Sequence, residues 1–243
     1  MNIYIQSGLD MPFGKTIAQS AHAYGKAWLD RMSVVSEDED SVILKLTDTA
    51  FHQLNQWIDG IPTAVSYCEL SSFELDGFTS EIVDSGRTHF ECPTLTCRVA
   101  SNELGEVVGV NDRLSYSDKT IECKQGFFVN RVAFESINRE VMLSEMAKGS
   151  FSMILDNVCS ERGELELKKA GSEYVWLTSS FGKTVVGTKK VGKFEQLREL
   201  LVSDGVAVRD VYIDGILIGY ISQVLPSDSL QKYTRYKTFR LLE

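Results

Sequence analysis

Strand-type and helix-type stretches alternate through the first hundred residues with only short connections between them, and that alternation constrains the fold more than any other feature. Asn2–Gln6 (NIYIQ) reads as a strand, followed by the loop SGLDMPFG and a helix over residues 14–31. Ile17, Ala21, Tyr24 and Trp28 recur at the i, i+4, i+7, i+11 spacing of one helical face. SVILKL (41–46) is a run of strand type. A second helix fits residues 48–59, with Thr47 or Asp48 as N-cap, Phe51, Leu54, Trp57 and Ile58 as its apolar stripe and Gly60 just past its end. TAVSY (63–67), EIVD (81–84) and TLTCRV (94–99) complete the strands. Strand–helix alternation of this kind predicts the α/β class, here an N-terminal three-layer sandwich on a mixed sheet.

The polar segment SNELGEVVGVND (101–112) marks a boundary and predicts two domains, 1–105 and 106–243. The second is expected to be a smaller α+β domain. Helices fit 135–148 and 193–203, and strands fit 151–156, 164–168, 173–178 and 184–188. VYIDGILIGYI (211–221) predicts a hairpin, because Asp214-Gly215 supplies the positive φ angles of a two-residue type I′ turn. Phe-Gly-Lys-Thr occurs at 13–16 and again at 181–184; one copy opens a helix and the other lies between strands, so the match is read as chance.

Apolar residues make up 43% of the 243 and charged residues 24%, enough to build a core. No stretch approaches the roughly 20 consecutive apolar residues that cross a bilayer, and MNIYIQSGLD lacks the basic start and apolar run of a signal peptide. The five cysteines are odd in number and irregularly spaced, which suits reduced thiols. Cys92 and Cys97 do not have zinc-knuckle spacing, and His89 does not complete a ligand set. These features predict a cytoplasmic protein with no membrane association, no metal and no cofactor.

Charge is uneven. Residues 1–105 hold six Lys/Arg against fifteen Asp/Glu, a net of −9, whereas the remainder holds nineteen of each. The acidic run Glu37-Asp38-Glu39-Asp40 reads as a solvated loop. Any contact with nucleic acid must therefore be local, because phosphate binding draws on basic side chains. Two clusters in the second half could supply them. Lys189, Lys190 and Lys193 surround a turn, and Lys232, Tyr233, Arg235, Tyr236, Lys237, Phe239 and Arg240 interleave basic with aromatic residues. An edge strand with solvated lysines is the plainer reading and is preferred.

The chemistry-bearing segment is MPFGKTIAQSAHA (11–23). It places Gly14 and Lys15 at the first turn of a helix, where unpaired backbone N–H groups favour an anion. Lys15, Gln19, His22 and Lys26 share the helix face opposite the apolar one. On periodicity alone, an amphipathic helix with a polar outside accounts for this pattern.

The pattern Gly14-Lys15-x-x-Ala18-Gln19-x-x-His22-Ala23 resembles the signature helix of the archaeal and eukaryotic-type peptidyl-tRNA hydrolases. Asp84-Ser85-Gly86-Arg87-Thr88 is similar to that family's Asp-Ala-Gly-Arg-Thr block, again followed by a polar residue and a strand. The resemblance covers about residues 1–100. It implies that Lys15, Asp84 and Thr88 surround the reacting ester, with Gln19, His22, Lys26 and Arg87 as substrate-binding residues. It implies hydrolysis of the bond between a nascent peptide and the 3′-ribose of tRNA. The chain departs from the family in its length, in the long acidic connection CELSSFELDGFTS (68–80) and in its shortage of lysines near the first helix.

Those residue types suit ester hydrolysis, which requires a positioned water and stabilisation of the developing oxyanion. Asp84 would orient or activate the water, Thr88 would share its proton network, and Lys15 would hold the oxyanion or a terminal phosphate. A Ser–His–Asp triad is disfavoured, since His22, His52 and His89 are the only histidines and none sits in a nucleophile motif. The competing expectation is a non-catalytic module that sequesters tRNA or a protein, the partner being chosen by residues 106–243. A regulator whose acidic face meets a basic protein partner is a third, and a homodimer stays open.

Overall fold

Ile3 and Ile5 leave the strand Asn2–Gln6 on one side and are fully buried, while Asn2, Tyr4 and Gln6 on the other side keep contact with solvent. The computed structural model of the protein describes residues 1–56, 62–86, 89–117, 122–155, 162–179 and 181–242. The chain runs β1 (Asn2–Gln6), α1 (Phe13–Leu29), β2 (Met32–Glu37), β3 (Ser41–Leu46), α2 (Asp48–Gln56), β4 (Ala64–Cys68), β5 (Thr79–Asp84) and β6 (Thr94–Ala100). It continues with β7 (Cys123–Asn130), α3 (Arg131–Phe134), α4 (Arg139–Leu155), β8 (Glu164–Lys168), α5 (Ser172–Leu177) and β9 (Lys183–Thr188). The last elements are α6 (Val191–Ser203), β10 (Val208–Ile213), β11 (Ile216–Pro226), α7 (Ser227–Thr234) and β12 (Arg240–Leu241).

The fold is α/β, with three sheets. The first has the order β4-β1-β6-β5 and is mixed, β1 being parallel to β4 and antiparallel to β6. The second has the order β10-β11-β7-β9-β12 and is mixed as well, β7 and β9 being parallel. The third joins β2, β3 and β8. Helices α1 and α4 pack on each other between the first two sheets. Phe127 and Val129 of β7 face that central core, and Phe128 faces a second core built with Phe194, Leu197 and Leu201 of α6 and Leu230 and Tyr233 of α7. The layers are therefore sheet, helix pair, sheet, helix pair, drawn from the whole chain and not from the first hundred residues alone. β3 pairs with β8, and one core runs from Met1 to Leu242. Side chains as large as Trp28 and Phe151 are fully buried there, each stabilising the fold by about 1.5–3 kcal/mol.

Two stretches read as strands are helical. Lys148-Gly149 resembles a helix end, yet α4 continues to Leu155. Gly149 serves packing here, since a Cβ on it would lie 2.9 Å from Ile221 and 3.1 Å from Val211. Residues 172–177 form α5, with Trp176 and Leu177 both buried at its C-terminal end. The helix expected over 135–148 begins only at Arg139, with Asn138 accepting from the N–H groups of Glu140 and Val141 at its start, and α3 is a separate short helix before it. In α2 the Thr47 hydroxyl receives the Ala50 N–H as an N-cap, whereas Trp57, Ile58 and Gly60 lie outside the described residues. The hairpin turn is as expected, with φ of 50° at Asp214 and 78° at Gly215. Tyr233 and Phe239 of the basic–aromatic segment are buried in the second core, out of reach of any base. Among the described residues no helix is long and apolar enough to cross a membrane.

Candidate functional site

Lys15 is held at the first turn of α1 by an unusual cap. No side chain caps that helix; the Gly14 N–H donates instead to the carbonyl of Leu242, 3.0 Å away at the far end of the chain. Glycine is required there, because a Cβ would sit 2.5 Å from that oxygen. The amide expected to be open to an anion is thus already used. Asp84 ends β5 just after a register shift between Ile82 and Val83. Its Oδ1 accepts the Gly86 N–H at 3.0 Å, and Gly86 has a φ of 78° in a turn packed directly on the Cys92 backbone.

These two segments meet. The Lys15 ammonium donates to Asp84 Oδ2, with the two side chains only 16% and 9% exposed. Gln19 Nε2 donates to the same oxygen at 2.8 Å. The Thr96 hydroxyl of β6 reaches Gln19 Oε1 at 3.0 Å and so turns the amide nitrogen toward the carboxylate. Gln19 is 2% exposed and spent on Asp84 and Thr96, which makes it a positioning residue for the carboxylate. Sequence reasoning missed Thr96, since a threonine inside a strand carries no signal by itself.

Gln19, His22 and Lys26 of α1 and Asp84 of β5 line one wall of a cleft of about 810 Å³. Arg113, Tyr116, Leu177 and Phe181 line the other, so both halves of the chain contribute. His22 Nε2 donates to the Phe181 carbonyl at 2.8 Å, which leaves Nδ1 as an acceptor in the neutral ring. Burial, and after it the charges of Lys183 and Lys15, hold this imidazole well below its ordinary range, so it is neutral at pH 7. Lys26 donates to Asp30 at 2.8 Å, and Arg113 reaches the same oxygen at 2.7 Å. The Ser80 hydroxyl completes the shell of Asp30. That end of the cleft is a compensated ion network, while the Asp84 end keeps the acceptor positions that its three donors leave over.

The aromatic ring of Phe90 stands 5.9 Å from Lys15 Nζ, and His89 ties this loop to the Asp10 carbonyl at 2.6 Å. Thr88 and Arg87 lie outside the described residues. The structure therefore brings together Lys15, Gln19, His22, Lys26 and Asp84 of the expected set, and adds Thr96, Phe181 and Arg113. Among the described residues, no group of three or more His, Cys, Asp or Glu side chains is placed to hold a metal ion.

The Thr96 hydroxyl can be tested apart from any substrate. Thr96→Val leaves a buried amide oxygen unpaired and is expected to lower stability by about 1–3 kcal/mol in urea unfolding. Thr96→Ser keeps the donor and most of the stability, and equal losses in the two variants would remove the hydroxyl from this role. No protein family, curated protein or solved structure matches the chain.

Proposed function

We propose that this cytosolic chain hydrolyses the ester joining a peptide to the 3′-ribose of tRNA, or a related RNA-linked ester, by a mechanism that calls for no metal. The observation that carries this reading is the meeting of Lys15 with Asp84, 69 residues away in sequence, where Asp84 lines an open cleft and Lys15 stands directly behind its carboxylate. The Asp84 carboxylate orients a water and takes its proton as the water oxygen bonds to the ester carbonyl carbon. The Lys15 ammonium stabilises the charge that forms on the carbonyl oxygen. Collapse of that intermediate breaks the bond to the ribose oxygen, which leaves protonated. Neutral His22 offers Nδ1 to a hydroxyl of the bound substrate.

The test is release of peptide from a peptidyl-tRNA by purified protein. Lys15→Ala is expected to slow release about a hundredfold, the scale of losing one oxyanion donor. A wild-type protein that releases nothing would end the hydrolase reading.

The surplus of acidic residues in the first 105 favours a second reading, a module that binds without turnover. Gel shifts with tRNA at two salt concentrations separate the two: phosphate binding weakens steeply with salt, and binding without release supports the module.

A further inference from the structure

The two large sheets repeat one plan. In the first, β1 is parallel to β4 and antiparallel to β6, and β6 is antiparallel to β5. In the second, β7 is parallel to β9 and antiparallel to β11, and β11 is antiparallel to β10. Each unit reads strand, long helix, short helix and then three strands; between the two helices the first unit has β2 and β3 and the second has β8, and the second unit carries α3 and α6 as insertions. The agreement extends to single residues. The register shift follows Ile82 in β5 and Val211 in β10, and these residues face Cys97 and Gly219, which in turn face Ile5 and Val129. Four residues after each comes a glycine with the same φ of 78°, Gly86 in one unit and Gly215 in the other.

Helices α1 and α4 have 17 residues each. Aligned from their first residues, Ile17, Ala18, Ser20, Ala21, Ala23, Tyr24, Gly25 and Trp28 are buried. So are their counterparts Leu143, Ser144, Met146, Ala147, Gly149, Ser150, Phe151 and Ile154. The contacts between the units have the form of a twofold. A Cβ on Gly25 would lie 3.0 Å from the ring of Phe151, its own counterpart. β3 and β8 cross antiparallel with Ile43 opposite Glu166, flanked by the pairs Val42–Leu167 and Leu44–Leu165.

We propose that the chain is a fused pair, in which residues 123–226 are a second copy of the unit at 2–100, turned about a pseudo-twofold axis and stripped of its own site to become a wall of the first. Val141, Glu145 and Lys148 stand where the first copy has Lys15, Gln19 and His22, and Ile213 stands where it has Asp84. The connection that carries Arg87 and Thr88 is reduced to the turn Asp214-Gly215. Glu145 pairs with Lys148 within its own helix. In exchange the second copy supplies Leu177 and Phe181 to the cleft. Phe181 is held at a φ of 50°, a conformation a bulky residue adopts only under constraint. Its carbonyl takes both His22 Nε2 and Lys183 Nζ, and its ring packs 5.0 Å from that of Trp176.

The loss of a working site rests on reading Lys15 and Asp84 as the working pair; the duplication does not, and the two are tested separately. A double-mutant cycle of Val141→Lys and Ile213→Asp, read by urea unfolding, reports whether these positions face each other as Lys15 and Asp84 do. The expected result is that the double variant is more stable than additivity predicts, by roughly threefold or more in the folding equilibrium. Strict additivity overturns the equivalence. Should Ile213→Asp prevent folding, Ile213→Asn with Val141→Gln runs the same cycle with neutral partners. For function, titration of the wild-type protein with tRNA is expected to give one site per chain, with Val141→Ala and Glu145→Gln leaving turnover unchanged. Two sites per chain, or a loss of turnover in either variant, overturns the silent second copy. A wild-type protein without peptide release ends the hydrolase reading, while the coupling measured between positions 141 and 213 still decides the duplication.

Discussion

Asp84→Asn is expected to slow peptide release about a thousandfold, within the range that general-base catalysis supplies, while leaving the fold in place. The substitution conserves shape and removes two things at once. An amide cannot take a proton from water at neutral pH. Nor can it serve the local hydrogen bonds, because Lys15 and Gln19 both donate to Oδ2 and Gly86 donates to Oδ1. An asparagine has one acceptor for three donors, and its own N–H₂ must face one of them. The resulting loss of stability is about 1–3 kcal/mol, the usual scale for a buried group left unpaired. Circular dichroism and tRNA gel shifts on the same preparation show whether fold and binding persist. A fully active Asp84→Asn protein removes the carboxylate from the mechanism, and a variant that binds tRNA without turnover places it there.

Much of the fold was legible in sequence wherever its signals are local. SVILKL and ELELK are strands with the bounds read from their composition, and Asp214-Gly215 forces its hairpin. The meeting of Lys15 with Asp84 was legible only as a resemblance, since nothing in periodicity links positions so far apart. The second unit was harder to read. β7 is its central strand, and Phe127, Phe128 and Val129 are buried on both faces, so the run shows no alternation to announce a strand. Gly149 looks like a helix stop and is a packing residue. The repeat left almost no trace in the letters: across the two 17-residue helices only Ala21/Ala147 and Leu29/Leu155 are identical. Burial and register survive such divergence, because packing constrains volume and direction more tightly than identity. The literal repeat, Phe-Gly-Lys-Thr, occupies positions that do not correspond in the two units.

Arg31→Ala is expected to destabilise the protein by about 4 kcal/mol through lost hydrogen bonds and an unfilled cavity, a fall of roughly 8–16 °C in Tm for a chain of this size. Arg31 follows α1 and is fully buried. Burial pulls its pKa down to about 10, so the surroundings disfavour the cation. What retains it is a set of carbonyls. Nε and Nη2 reach Gly105 at 3.0 and 2.9 Å, Nη2 reaches Phe78 at 2.9 Å, and Nη1 reaches Ala27 at 3.1 Å. One side chain thus joins the end of α1, the entry to β5 and the segment leading into the second unit. Asp30 keeps Lys26, Arg113 and Ser80 when Arg31 is removed, so the loss falls on the carbonyls and not on a stranded carboxylate. Arg31→Lys retains the charge without the planar fork and is expected to fall between wild type and Arg31→Ala. Differential scanning calorimetry of the three proteins decides the point: equal Tm values for Arg31→Lys and wild type would mean that charge alone, and not the fork, holds these segments together.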